Sequence, residues 1–182
     1  RKGIIAVDDM CKTIVKDVFA IGDINGKMQL ALVASAQGVL VADYVAGNPC
    51  KPLNYNNIPS CVYSNPETAM VGLTESQAME TGRNIGVAKF DLNGNGKALT
   101  MGENKGFVKF VYDRDTEEIL GFHVIGPHAT DLASGVACAM ESGAKLSAIA
   151  ETVHPHPTIS EAVMEAALAA FGASCNVPKP RR

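Results

Sequence analysis

The five cysteines of this chain (Cys11, Cys50, Cys61, Cys138 and Cys175) are dispersed, and no two form a C-x-x-C or similar close pair. Such spacing gives no local support to a metal site or to dithiol redox chemistry. Without a secretion signal it reads as free, buried thiols in a reducing compartment, the cytoplasm. Charge of one sign is also scarce. The net charge is −3 and no basic stripe is present, so nucleic acid has no electrostatic footprint. The single basic cluster, Lys179-Pro180-Arg181-Arg182, is expected to fray at the end of the chain. No apolar run reaches membrane-spanning length. Arg1-Lys2 lead into a short strand-like run and not into the long apolar stretch of a signal peptide. The first residue is not Met, so the chain is expected to begin inside a larger protein. No membrane or nucleic-acid partner is expected, and neither an internal repeat nor a low-complexity segment is present.

What is there is ordinary globular material, 47% hydrophobic and 19% charged, in 182 residues. That is enough for one core, or for one domain and a piece of another. The apolar runs at 4–7 and 18–21 read as two short buried strands. Residues 30–46 read as a strongly apolar helix, stopped by Gly47-Asn48-Pro49. The stretch 48–59 holds three prolines and four asparagines and reads as a linker between domains. Beyond it the pattern predicts strands at 61–64, 69–73, 85–92, 106–112 and 119–125. A short helix at 74–81 opens on the capping box T-E-S-Q. The near-continuous apolar run 107–112 predicts a strand covered on both faces for much of its length. Helices are expected at 130–143, 146–153 and 159–171, the second ending before Pro155 because the residue preceding proline avoids helical geometry.

Several motifs carry little. Asp91 to Gly96 matches the first half of a calcium loop, but the twelfth position is Gly102 and not Glu, so a glycine-rich turn is expected. Gly22 to Lys27 is one residue short of a phosphate loop, and Met28 stands where a hydroxyl would hold magnesium. His123 lies within an apolar strand and His128 at a Gly-Pro turn, both positions typical of structural histidines. No metal site is predicted.

The segment V-H-P-H-P-T-I-S-E at 153–161 says more. His156 is followed by proline, and Glu161 stands five residues on, where a helix begins. A carboxylate that binds one imidazole nitrogen fixes the tautomer and raises the basicity of the other, which makes a proton shuttle. Thr158 to Glu161 is equally a capping box, in which Glu161 only satisfies backbone N–H groups. Both roles stay open on the residues alone.

Three segments occur together, in order: V-F-A-I-G-D (18–23), G-K-M-Q-L-A (26–31) and H-P-H-P-T-I-S-E (154–161). In combination they resemble the flavin-dependent disulfide reductases, most closely the branch that oxidises dihydrolipoamide, over roughly residues 3–172. The resemblance implies an α+β fold: an antiparallel-sheet interface (dimerisation) domain at 60–172, backed by helices. The C-terminal piece of a Rossmann-like FAD-binding domain would precede it at 1–47, with 48–59 as linker and 173–182 as a flexible tail. It implies that Asp23 accepts a hydrogen bond from a ribityl hydroxyl of FAD, and that Met28, Leu30 and Ala31 line the flavin at a helix N-terminus. Leu32 departs from the histidine common in that branch. His156, oriented by Glu161, would take a proton from a thiol of the partner subunit, and the His156–Pro157 peptide would be cis. The partners so implied are a second copy of the chain and a lipoyl-bearing protein. The dinucleotide fingerprint, the redox cysteine pair and the NAD domain of such enzymes are absent from this sequence. The isolated chain is therefore expected to be inactive, with only part of an FAD site. Two alternatives stand beside this: a free-standing, non-catalytic dimerisation module, and the same segment of another flavin disulfide reductase.

Overall fold

The computed structural model describes residues 3–176, which divide between Tyr55 and Asn56 into two compact units. The division falls within the stretch 48–59. The Lys179–Arg182 cluster lies outside the described residues.

The first unit is built on α1 (Ala31–Ala46). Gly47, at φ 76°, ends this helix: its N–H bonds to the Tyr44 carbonyl at 3.2 Å and that of Asn48 to Asp43 at 2.9 Å. A left-handed residue that satisfies the last carbonyls in this way is a common helix stop. The two strands expected at 4–7 and 18–21 do not form. A strand needs a ladder of partners; the first segment makes one such bond, and the second only an isolated antiparallel bridge of Lys12 with Phe19, to which Thr13 N–H on the Val18 carbonyl at 3.0 Å contributes. Ile5 N–H reaches the Ile24 carbonyl at 2.8 Å, and Ala20 N–H reaches Cys11 at 3.0 Å. Nor are they uniformly buried, since Ile4, Ile5 and Ile21 are exposed. Asp8 instead turns the chain, its Oδ1 accepting from the N–H groups of Met10 and Lys12.

The second unit is a five-stranded antiparallel sheet in the order β1-β2-β5-β4-β3. Strands β1 (Ser60–Val62) and β2 (Thr68–Gly72) come first, followed by the one-and-a-half-turn α2 (Glu75–Met79). Thr74 and Gln77 form a complete capping box at its start. Strand β3 (Ile85–Asp91) alternates buried and exposed side chains, as a strand covered on one face must. A short helix that the sequence pattern does not suggest, α3 (Gly96–Met101), then precedes β4 (Phe107–Asp113) and β5 (Ile119–Ile125). The Asp91–Gly96 stretch is thus not only a glycine-rich turn: Asn95 Oδ1 accepts from Ala98 N–H at 2.9 Å and starts the helix.

Helices α4 (Ala129–Glu141), α5 (Leu146–Glu151) and α6 (Glu161–Ala170) cover one face. Helix α4 packs on β2 and β5, α6 on β3 and β4, and α5 on α6. The main core includes Val71, Phe90, Val108, Phe110, Phe122 and Val124 together with Ala162, Ala166 and Ala167. The alanines of α6 thus serve close packing against the chain's own sheet. On the opposite face Ala78, Val111 and Leu120 form a second, smaller cluster, which covers the far end of β4 on both sides. Residues 173–176, assigned to a flexible tail, are instead tied to α6. The buried carboxylate of Glu165 accepts from Ser174 Oγ, Cys175 N–H and Asn176 N–H and Nδ2. A buried carboxylate requires such donors, and this segment is where they come from.

Candidate functional site

The segment between α5 and α6 carries the candidate base. The helix stops at Glu151 because proline follows at 155 and again at 157. The His156–Pro157 peptide is cis. His156 Nδ1 lies 2.8 Å from Glu161 Oε1, and the imidazole is largely exposed, 77% against 21% for the carboxylate. The second carboxylate oxygen, Oε2, accepts the Thr158 N–H at 2.8 Å. Glu161 therefore fills both roles open in the sequence: one oxygen faces the imidazole and the other a backbone N–H at the helix start. The reciprocal half of the box is missing, since Thr158 Oγ1 donates to the Pro155 carbonyl at 2.7 Å. His154 does not join the pair; its Nδ1 sits 2.9 Å from the Thr152 carbonyl.

Burial pushes the Glu161 carboxyl up, but the bonds from Thr158 N–H and His156 outweigh it and hold the group below the ordinary glutamate range. It is thus ionised near neutrality. In the neutral form of the ring, a carboxylate facing Nδ1 favours the proton on that nitrogen and leaves Nε2 as the acceptor. A depressed carboxyl adds stability above its unfolded-state pKa and loses it as pH falls through the folded value. In an acid titration of the 182-residue chain followed by carbon-13 NMR, the Glu161 carboxyl is expected to titrate below the exposed glutamates. The Thr158 amide signal should move with it. A midpoint at the ordinary value would contradict the two bonds.

The other expected residues lie in the first unit. Residues Gly22–Asn25 form a tight turn closed by Gly26 in the left-handed region, φ 66°. Asp23 is exposed, and its carboxylate has no hydrogen bond or ion pair among the described residues. Leu30 caps α1 with an extended backbone and no side-chain bond, so the first N–H groups of the helix, at Ala31 and Leu32, are uncapped. Met28 is half-buried and Leu32 is exposed at 81%. A free acceptor and an uncapped helix start suit a ribityl hydroxyl and an electron-rich ring, so these residues fit the implied flavin.

Sequence reasoning passed over three polar residues. Gln37 is fully buried; its Oε1 accepts from Gly22 N–H at 2.6 Å and from Asn25 Nδ2 at 3.0 Å, while its Nε2 donates to Tyr55 Oη at 2.8 Å. It fixes the turn that carries Asp23. The signal was one amide within the buried stripe Val33, Gln37, Leu40. Asn25 belongs to the same network, and Asn95 is taken up below. His123 is half-buried, with Nε2 3.0 Å from the Leu73 carbonyl, and burial pushes its pKa down. Among the described residues no group of three or more His, Cys, Asp or Glu gathers to hold a metal, and no helix is long and apolar enough to cross a membrane.

The family profile described as pyridine nucleotide-disulphide oxidoreductase, dimerisation domain, matches residues 58–167, and that of the pyridine nucleotide-disulphide oxidoreductases matches 1–38; the chain belongs to this family. Its relatives include the dihydrolipoyl dehydrogenase of Bacillus subtilis, 48% identical over 172 residues, and that of Chlamydia muridarum, 40% identical over all 182. The first alignment covers 94% of this chain and 36% of the relative; the second covers 100% and 39%. The chain thus spans little more than a third of the relatives' length. Among solved structures, LpdA of Mycobacterium tuberculosis aligns with a TM-score of 0.86 at 28% identity, covering 92% of this chain and 36% of that one. The HOCl-induced flavoprotein disulfide reductase RclA of Escherichia coli aligns at 0.85 and 25%, covering 91% and 38%.

Proposed function

We propose that this chain supplies the subunit-contact and base-bearing segment of a cytoplasmic dihydrolipoamide dehydrogenase, and is inactive by itself. The whole enzyme oxidises a protein-bound dihydrolipoamide and reduces NAD⁺ by way of a redox disulfide and FAD. The observation that carries this is the 2.8 Å contact between His156 Nδ1 and Glu161 Oε1, which leaves Nε2 free on an exposed ring.

In this reading Nε2 of His156 accepts the proton of a substrate thiol, and the thiolate so formed attacks one sulfur of the disulfide, whose S–S bond breaks to leave a mixed disulfide and a thiolate on the other sulfur. The imidazolium that results is stabilised by the ionised Glu161 on its other side. Glu161 keeps its place through the Thr158 N–H, so the ring presents the same face before and after the transfer. Asp23 would hold a ribityl hydroxyl, and Met28, Leu30 and Ala31 would line the flavin at the start of α1, an N-terminus that favours negative charge. When bound, FAD supplies the two-electron relay between the dithiol and NAD⁺.

The enzyme is a homodimer through the sheet domain, with His156 serving the dithiol held by the second subunit. The match to a dimerisation domain over residues 58–167 supports the pairing. Free thiols at all five cysteines suit a reducing cytoplasm, although only Cys11 is buried as expected, Cys61 being half-buried and Cys50, Cys138 and Cys175 exposed. A non-catalytic module is the weaker account, because the chain retains both the His–Glu pair and a match to the oxidoreductase profile at residues 1–38.

The test is a graft. Placed in the Bacillus subtilis enzyme in exchange for the 36% it matches, the chain is expected to give a yellow dimer that reduces NAD⁺ with dihydrolipoamide. A yellow dimer inert toward dihydrolipoamide would sink the proposal.

A further inference from the structure

We propose that Asn95 is the positioning residue of the His156–Glu161 pair, tying the segment that carries it to the sheet core through the main chain of Thr158. This rests on the proton-transfer reading of the pair. Asn95 is 4% exposed and uses both ends of its amide. Its Oδ1 accepts the Ala98 N–H at 2.9 Å, and its Nδ2 donates to the Thr158 carbonyl at 3.0 Å, across 63 residues of sequence. The chemistry of the two partners sets the orientation, since only the oxygen can accept from an N–H and only the nitrogen can donate to a carbonyl.

Thr158 is thereby held on three sides. Its carbonyl takes the Asn95 bond, its N–H donates to Glu161 Oε2 at 2.8 Å, and its hydroxyl donates to the Pro155 carbonyl at 2.7 Å. The line of contacts runs from Asn95 to Thr158, from Thr158 to Glu161 and from Glu161 to His156. Its far end is firm: Leu92 and Ala98, on either side of Asn95, are fully buried in the main core, and Asn95 N–H bonds back to the Leu92 carbonyl at 3.0 Å. His156, largely exposed, has no comparable packing of its own to hold it.

Capping alone does not account for this residue. A helix cap requires only the side-chain oxygen, which serine or aspartate provides as well as asparagine. The amide nitrogen is the surplus, and it is the atom directed at Thr158. That difference yields a clean pair of variants in the 182-residue chain. Asn95→Ser keeps an oxygen for Ala98 and loses the amide nitrogen, its one O–H being carried by that same oxygen on a shorter side chain; Asn95→Ala loses both. In Asn95→Ser, hydrogen exchange at the Thr158 amide is expected to be roughly three- to tenfold faster, the scale of one lost hydrogen bond. The Glu161 carboxyl, followed by carbon-13 NMR, should titrate closer to the ordinary glutamate range, with His156 and His154 its nearby titratable neighbours in both proteins.

Thr158 exchange and Glu161 titration unchanged in Asn95→Ser would overturn the proposal and reduce Asn95 to a cap. If Asn95→Ser fails to fold, Asn95→Thr replaces it, since its hydroxyl oxygen retains the cap and the amide nitrogen is absent; the same two readouts apply. Neither readout involves turnover, so a failure here is distinct from a failure of His156 as the base.

Discussion

Replacing His156 by glutamine in the grafted enzyme lowers kcat for dihydrolipoamide oxidation by about 10²- to 10⁴-fold, the usual worth of a positioned general base. Glutamine can still donate to Glu161, but it has no nitrogen that takes a proton near neutral pH. The segment 153–161 should keep its course, because Thr158 N–H on Glu161 Oε2 and Thr158 Oγ1 on the Pro155 carbonyl do not involve the imidazole. The flavin absorbance should likewise be unchanged, since the residues proposed to hold the flavin, Asp23 and the start of α1, belong to the first unit. Steady-state rates together with the visible spectrum decide the matter. A variant that stays yellow and turns over within a few-fold of its parent would remove His156 from the chemistry.

Phe122→Ala is expected to destabilise the second unit by about 3–5 kcal/mol. Phe122 is fully buried in β5, between β2 and β4, opposite Val71 on one side and Phe110 on the other. Its ring centroid lies 5.1 Å from that of Phe110 at an interplanar angle of 51°, a tilted contact of the favourable kind. Truncation leaves a void between two neighbours that are themselves fully buried, so little of the site can collapse to fill it. A urea titration followed by far-ultraviolet circular dichroism should show a lower midpoint with an unchanged slope. A loss below about 1 kcal/mol, the scale of a small core change, would mean that the sheet closes around the gap.

Much of the second unit was legible in its sequence because its signals are local and agree with one another. The alternation in Ile85–Asp91 and the capping box at Thr74 and Gln77 each state a structure within a few residues. The spacing of His156 and Glu161 was legible for the same reason, with proline on both sides of the histidine. What was not legible depends on partners distant in sequence. The run 4–7 has the composition of a buried strand, but burial and pairing belong to neighbours, and Ile4 and Ile5 have neither a ladder nor a covered face. Asn95 was hidden by two flanking glycines that suggest a turn, and its second bond is made 63 residues away. Glu165 is a like case. Nothing local marks it for burial, and its donors at 174–176 come after the helix has ended.

The division of labour within the Glu161 carboxylate bears on how such a protein can change over generations. One oxygen belongs to the turn at the head of α6 and the other to the imidazole, so a single codon answers to the fold and to the chemistry at once. A lineage that gave up turnover would be free to lose the histidine, but losing the glutamate would still unsettle the helix start. In descendants that survive only as subunit contacts, the carboxylate should outlast its partner. Its persistence would then testify to a turn that must be made, and the histidine alone would record whether the reaction is still run.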